Sequence, residues 1–306
     1  MELREHEDGW KQRGTRERGQ TLVVATLVLV VLVGFMALVV DVGNIYTQRR
    51  RIQNAADAGA LAACWSLALD RSHAEVREVA GSYAQANGAQ QWSVSIEAKA
   101  VTVIVTETFP TYFASVIGVP TFTVAARARA HYEPPGPWTG GMMPLAVCSE
   151  ALRGVGYNQT VQIWDSRETV AGDGIISDGQ RGWLNFDGGN VSNTELVNWI
   201  MYGWGGEIRF PMWINGTPGT KDASLQAMDA YRKGQVIYVP IYDTVRPGVI
   251  GNGQLDYRIV AVGSFLVSDV KYRGNPKYIE GVFTYTVVPR KGGGTVDAGT
   301  RVVNLE

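Results

Sequence analysis

Cysteine and histidine are scarce in this chain. Among 306 residues there are two cysteines, Cys64 and Cys148, far apart and in no C-x-x-C arrangement, and three histidines, His6, His73 and His131. A zinc centre needs about four converging nitrogen or sulfur ligands, so this inventory gives no metal site. A single disulfide and two independent buried thiols both stay open for the cysteines. Excess charge of either sign is also missing: 28 Lys and Arg face 29 Asp and Glu, a formal net charge of −1. A nucleic-acid binder would carry a basic footprint, so that class of partner is excluded. No G-x-S-x-G elbow, phosphate loop or H-E-x-x-H helix occurs. His73 on a predicted helix and His131 at a predicted strand end read as solvated side chains rather than as general bases. The composition therefore points away from an enzyme, and no cofactor is expected.

One stretch lacks charge altogether. From Thr21 to Val40 the sequence reads TLVVATLVLVVLVGFMALVV. At about 1.5 Å per residue it spans roughly the 30 Å hydrocarbon core of a bilayer. It has no polar face, as a soluble surface helix would, and in lipid a helix is what satisfies every backbone group internally. A cleavable signal peptide would have a shorter apolar core and a small-x-small site, so an uncleaved anchor is expected. Leu61-Ala62-Ala63-Cys64 superficially resembles a lipoprotein box, but Arg49, Arg50 and Arg51 separate it from the apolar run. Five cations, Arg4, Lys11, Arg13, Arg16 and Arg18, precede the span and three follow it. That balance favours an N-terminus in the cytoplasm.

The remainder is long enough for a sizeable soluble portion, since 306 residues allow about two domains of roughly 150. Gln48–Leu69 continues as helix, and within it Ala56, Gly59, Ala60 and Ala63 form one small-residue face. Such a face admits a close backbone, either this chain's own sheet or another subunit. His73–Asn87 carries an apolar stripe ended by Gly88, a second helix. Periodicity then becomes alternating: Val94 and Ile96, then Val101, Val103 and Val105, make a hairpin with its turn near Ala98. Thr111–Ile117 reads as a short helical piece after Pro110. Phe122, Val124, Ala126, Ala128 and Ala130 mark a half-buried strand. Glu133–Gly141, with three prolines and three glycines, reads as a linker. Beyond it, strands are expected at Val161–Trp164, Val236–Tyr242, Tyr257–Val267 and Tyr278–Val288, with a helix at Thr194–Met201 capped by Asn193. The fold class is α+β: a cytoplasmic segment 1–20, a span 21–40, an α+β module 41–132, the linker 133–141 and a β-rich domain 142–306.

Several residues of the first part resemble a known family. Arg18-Gly-Gln-Thr-Leu, the apolar run, Val40-Asp-Val-Gly-Asn-Ile-Tyr, and Arg49-Arg-Arg-Ile-Gln-Asn-Ala-Ala-Asp-Ala followed by Gly59-Ala-Leu-Ala are similar to the TadE/TadG-like pilus-assembly family. These are single-pass proteins of the bacterial tight-adherence, or Flp pilus, system. The resemblance extends over roughly residues 15–132. It implies a structural component of the pilus apparatus in the bacterial inner membrane, with the lipid bilayer and other pilus-assembly or pilin-like proteins as partners. Prepilin-like members are processed after a glycine and carry Glu at the fifth mature position. Here Gly19 would place Val24 there, so an assembly component fits better than a major pilin. Some larger relatives carry a D-x-S-x-S metal site; Asp222-Ala-Ser224 is followed by Leu225 and Gln226, so that site is not expected.

Two surfaces further along invite a binding reading. Trp183, Trp199, Trp204 and Trp213, with Tyr202 and Phe210, concentrate aromatic rings that suit either a β core or a ligand surface. Gly172-Asp-Gly174, Asp178-Gly179 and Asp187-Gly-Gly-Asn190 tempt toward calcium, yet Asp-Gly is also the commonest tight-turn signal and the EF-hand spacing is absent. An extracytoplasmic binding module or adhesin is thus the second functional reading.

Overall fold

A computed structural model describes residues 14–150, 152, 156–164, 182–189, 191–217, 221–248 and 255–306. Helix α1 (Gly14–Ala68) is continuous from the apolar run into the soluble portion. A short turn leads to α2 (His73–Ala86), which begins at a capping box: Ser72 Oγ accepts from the Glu75 amide while the Glu75 carboxylate accepts from the Ser72 amide. Strands β1 (Trp92–Ile96) and β2 (Ala100–Pro110) form the expected hairpin. The stretch after Pro110 is helical only as a 3-10 turn over Ala114–Ile117, shorter than the expected Thr111–Ile117, because the Thr111 amide donates to the Pro120 carbonyl and those of Tyr112 and Phe113 to Asp41. Strand β3 (Thr121–Glu133) then pairs with the whole length of β2, from Ala100 opposite His131 to Pro110 opposite Thr121.

These elements make a helix-on-sheet layer. Val101, Val103 and Val105 of β2 and Val124, Ala126, Ala128 and Ala130 of β3 turn inward against Ile52, Ala56, Ala60, Ala63 and Leu67 of α1. The alternation is what a sheet with one covered face requires. Small residues on both surfaces bring helix and sheet close. Gln53 of α1 also donates to the Arg127 carbonyl of β3 (3.2 Å) and to Asp57 (2.8 Å), tying helix to strand.

The chain then crosses to a second sheet through residues 133–141, which are packed rather than free. The Gly136 amide donates to the Lys291 carbonyl and the Gly294 amide to the Pro134 carbonyl. A Cβ on Gly136 would lie 2.5 Å from the Gly292 oxygen, so only glycine fits this approach. Trp138 of β4 (Trp138–Thr139) is fully buried, with the Arg290 guanidinium 4.1 Å from its ring centre. The second sheet runs β5 (Val147–Cys148), β10 (Val236–Pro247), β11 (Leu255–Lys271), β12 (Tyr278–Phe283) and β6 (Thr160–Trp164), with β9 (Met212–Gly216) pairing β11 and β7 (Leu184–Asn185) pairing β9. A short β8 (Glu207–Ile208) pairs β4. Helix α3 (Asn193–Tyr202) is capped by Ser192 in a capping box with Glu195, not by Asn193. Helix α4 (Asp222–Arg232), unforeseen in the sequence, buries Leu225 and Met228 in the same core as Ile200.

The expected strand over Tyr278–Val288 divides into β12 and β13 (Thr286–Val287), which leaves the second sheet for the first. The C-terminal strand β14 (Thr300–Leu305) returns beside β3, so the first sheet reads β1-β2-β3-β14-β13. Arg301 on β14 is buried, donates to the Ala68 carbonyl at the end of α1 (2.8 Å), pairs with Asp297 (2.9 Å) and lies over Tyr132 and Tyr285. The orphan carbonyl of a helix C-terminus and a buried guanidinium satisfy each other there.

Candidate functional site

The apolar run of α1 ends just before Asp41, whose carboxylate is held by three backbone amides. The run is long and apolar enough to cross a membrane, with mean hydropathy 3.1 over its best window and none of that window buried by the rest of the protein. Leu22, Val39 and Leu32 are 72%, 70% and 56% exposed, and every other Leu, Val, Phe and Met of the run is exposed as well. Asp41, immediately after it, is buried. Its Oδ1 accepts from the Tyr112 amide (2.8 Å) and its Oδ2 from Phe113 (3.1 Å) and Ala114 (2.6 Å), three successive amides of the β2–β3 loop. Loss of water would raise this carboxyl; the amides of Tyr112, Ala114 and Phe113 outweigh that and hold it below the ordinary carboxylate range. The sequence names Asp41 only as part of a motif. The available signal was that a lone carboxylate at the end of a span demands donors from elsewhere in the chain.

The small-residue face is covered by this chain itself. Ala56, Ala60 and Ala63 are fully buried, and Gly59 is pressed so closely to α2 that a Cβ would meet the Ala80 carbonyl oxygen at 3.0 Å. The opposite side of the same helix pair is open. Leu61 and Trp65 of α1, Val79 and Tyr83 of α2 and Val303 of β14 line a groove of about 700 Å³. Leu61, Trp65 and Tyr83 are 38%, 47% and 53% exposed.

The four tryptophans are not brought together as one surface. Trp183 is buried in the core with Leu145 and Phe265. Trp199 and Trp204 flank Phe186, at 5.5 Å and 4.5 Å between ring centres, and Trp204 Nε1 donates to Asp187 (2.8 Å). Trp213, on β9, lies under the Arg246 guanidinium at 4.2 Å. Asp187 thus serves as a hydrogen-bond acceptor for an indole, and residues 172–179 of the acidic glycine-rich stretch lie outside the described residues. Among the described residues no three His, Cys, Asp or Glu side chains cluster as a metal site would. Both cysteines are free. Burial pushes the Cys64 thiol up to about 12, which makes it a core residue rather than a nucleophile. His73 is exposed at the start of α2, and His131 Nδ1 lies 2.8 Å from Glu306 across β3 and β14.

Among the described residues one helix is long and apolar enough to cross a membrane, and it runs without a break into a helix-on-sheet module, which makes the architecture α+β. Residues 19–86 match the family model described as "Putative Flp pilus-assembly TadE/G-like". The matched stretch takes in the apolar run, the rest of α1 and α2, and stops before the first strand. It is shorter than the 15–132 over which the residues resemble that family. No curated protein and no solved structure gives a significant match to the chain.

Proposed function

We propose that this chain is a membrane-anchored structural component of a Tad or Flp-type pilus assembly apparatus. It sits in the bacterial inner membrane with its N-terminus in the cytoplasm and residues beyond Asp41 outside. The observation that carries the reading is the family match at residues 19–86, which takes in most of the continuous helix joining span to soluble module together with α2. The cation balance around the span supports the orientation. The partners are other pilus-assembly or pilin-like proteins.

The open groove between α1 and α2 is where such a partner is best sought, since the small-residue face is closed by the chain's own sheet. Photo-crosslinking residues placed at Leu61, Trp65 and Tyr83 in the native cell test this directly. Adducts with a pilin or another pilus-assembly protein are expected. Adducts absent at all three positions, in cells that assemble the pilus, contradict the proposal. The half-buried Trp199–Phe186–Trp204 stack, with Tyr202 76% exposed at the end of α3, is the feature that favours a binding module instead. Loss of surface adhesion on Tyr202→Ala, with pilus assembly intact, would support that second reading.

A further inference from the structure

The tip of the β2–β3 hairpin is unlike the tips of soluble hairpins. Between Glu107 and Arg127 no side chain is charged. Val116 and Ile117 are 85% and 81% exposed, and Tyr112, Phe113 and Val119 are also open to the surroundings. Turn chemistry in water favours Gly, Asn, Asp and Ser, and a contiguous apolar patch marks a surface that meets something apolar.

Two further observations identify what it meets. The loop is fastened by three amides to Asp41, the first residue after the apolar run, so it stands beside α1 where the hydrocarbon ends. Val42, next to Asp41 on α1, is exposed as well. The loop backbone is also largely satisfied within the protein. Beyond the three amides held by Asp41, the amides of Thr111, Val116, Gly118 and Val119 donate to carbonyls of the same loop. Thr111 Oγ1 and Ser115 Oγ donate to the Val119 and Tyr112 carbonyls. A backbone paired in this way leaves water at little cost, whereas an unpaired one does not.

We infer that the tip, Tyr112–Val119, is a second membrane contact, with Val116 and Ile117 seated in the lipid boundary of the leaflet facing the soluble bulk. Tyr112 lies at headgroup level, where aromatic side chains are favoured. Asp41 couples this contact to the anchor, so the α+β module is held at two points. A single helix would leave it free to swing. The inference rests on residues 21–40 spanning the bilayer.

The test uses the full chain in phosphatidylethanolamine and phosphatidylglycerol nanodiscs. The background carries Cys148→Ala, with the fully buried Cys64 left in place. Single cysteines are introduced as Leu32→Cys, Ile117→Cys and, on an exposed position of α4, Gln226→Cys. Each is labelled with an environment-sensitive dye and quenched by acyl-brominated lipid or by aqueous iodide. Lipid quenching at 117 several-fold above that at 226, together with quenching at 32, is the expected result. Quenching at 32 with iodide access at 117 equal to that at 226 overturns the tip contact and leaves the span standing. Absence of lipid quenching at 32 overturns the span and the tip together. A probe at 117 shielded from both quenchers, with 32 quenched, shows the tip covered by protein and also overturns the inference.

Discussion

Helix α1 meets two different surroundings along one axis. Over Thr21–Val40 it is Val- and Leu-rich, apolar all round, and none of its best window is buried by protein. Over Ile52–Ala68 it is Ala-rich and one-sided, with Ile52, Ala56, Ala60, Ala63 and Leu67 buried and Leu61 and Trp65 facing outward. Lipid conforms to whatever side chain it meets, so as a span the first half would need only bulk and apolarity. A strand and a second helix do not conform, so the second half needs small side chains at a fixed spacing. On the proposed reading the two halves are stabilised by different media, and separate lesions should damage them separately.

The largest effect is expected from Ile52→Ala, which removes a buried side chain from the helix-on-sheet core. A loss of about 2–5 kcal/mol is anticipated. It would appear as a lowered thermal midpoint in detergent, with membrane partition unchanged. The converse lesion, Leu32→Arg, places a charge at the span centre at about 3 kcal/mol. Carbonate-washed membranes should then retain less protein while the soluble module melts normally. A variant at either site that damages both halves equally would erase the distinction.

Asp41→Asn sharpens the boundary between the halves. It keeps the shape and removes the charge that three amides share, so faster hydrogen exchange at Tyr112, Phe113 and Ala114 is expected while partition holds. Smallest of the four is Ser72→Ala, which removes the cap of α2 at about 1 kcal/mol. Its effect should depend on pH. The Ser72 hydroxyl and amide hold the Glu75 carboxyl below its usual range. That contribution is complete above the ordinary carboxylate range and is lost as pH falls through the lowered folded value. The gap between the wild-type and Ser72→Ala melting curves should therefore narrow in acid to the part that comes from the Glu75 amide bonding the Ser72 hydroxyl, which does not titrate.

Much of this was readable in the sequence, for definite reasons. The span, α2 and the β1–β2–β3 meander each rest on a local period, apolar all round, 3.6 or 2, and the α+β class follows from them. The small-residue face was also legible, although spacing alone does not say which surface covers it. Helix α4 was missed because the apolar stripe it buries is thin, Leu225, Ala227 and Met228 beside a buried Ser224, amid polar neighbours. Asn193 and Ser192 are adjacent capping residues, and Glu195 three positions after Ser192 was the signal that decides between them. The return of β14 to β3 had no local signature, since Val302 and Glu133 are brought together by tertiary packing. The partners of Asp41, some 71 residues away, were hidden for the same reason.

The central claim is that residues 21–40 anchor a soluble bulk lying outside the cytoplasm. Protease treatment of intact spheroplasts, followed by carbonate extraction and detection of both ends of the chain, tests it most directly. The account predicts a carbonate-resistant protein whose N-terminal end survives the protease while the region beyond Asp41 is cleaved or released from it. A carbonate-soluble chain, or a C-terminal bulk cleaved only after the spheroplasts are lysed, would contradict it.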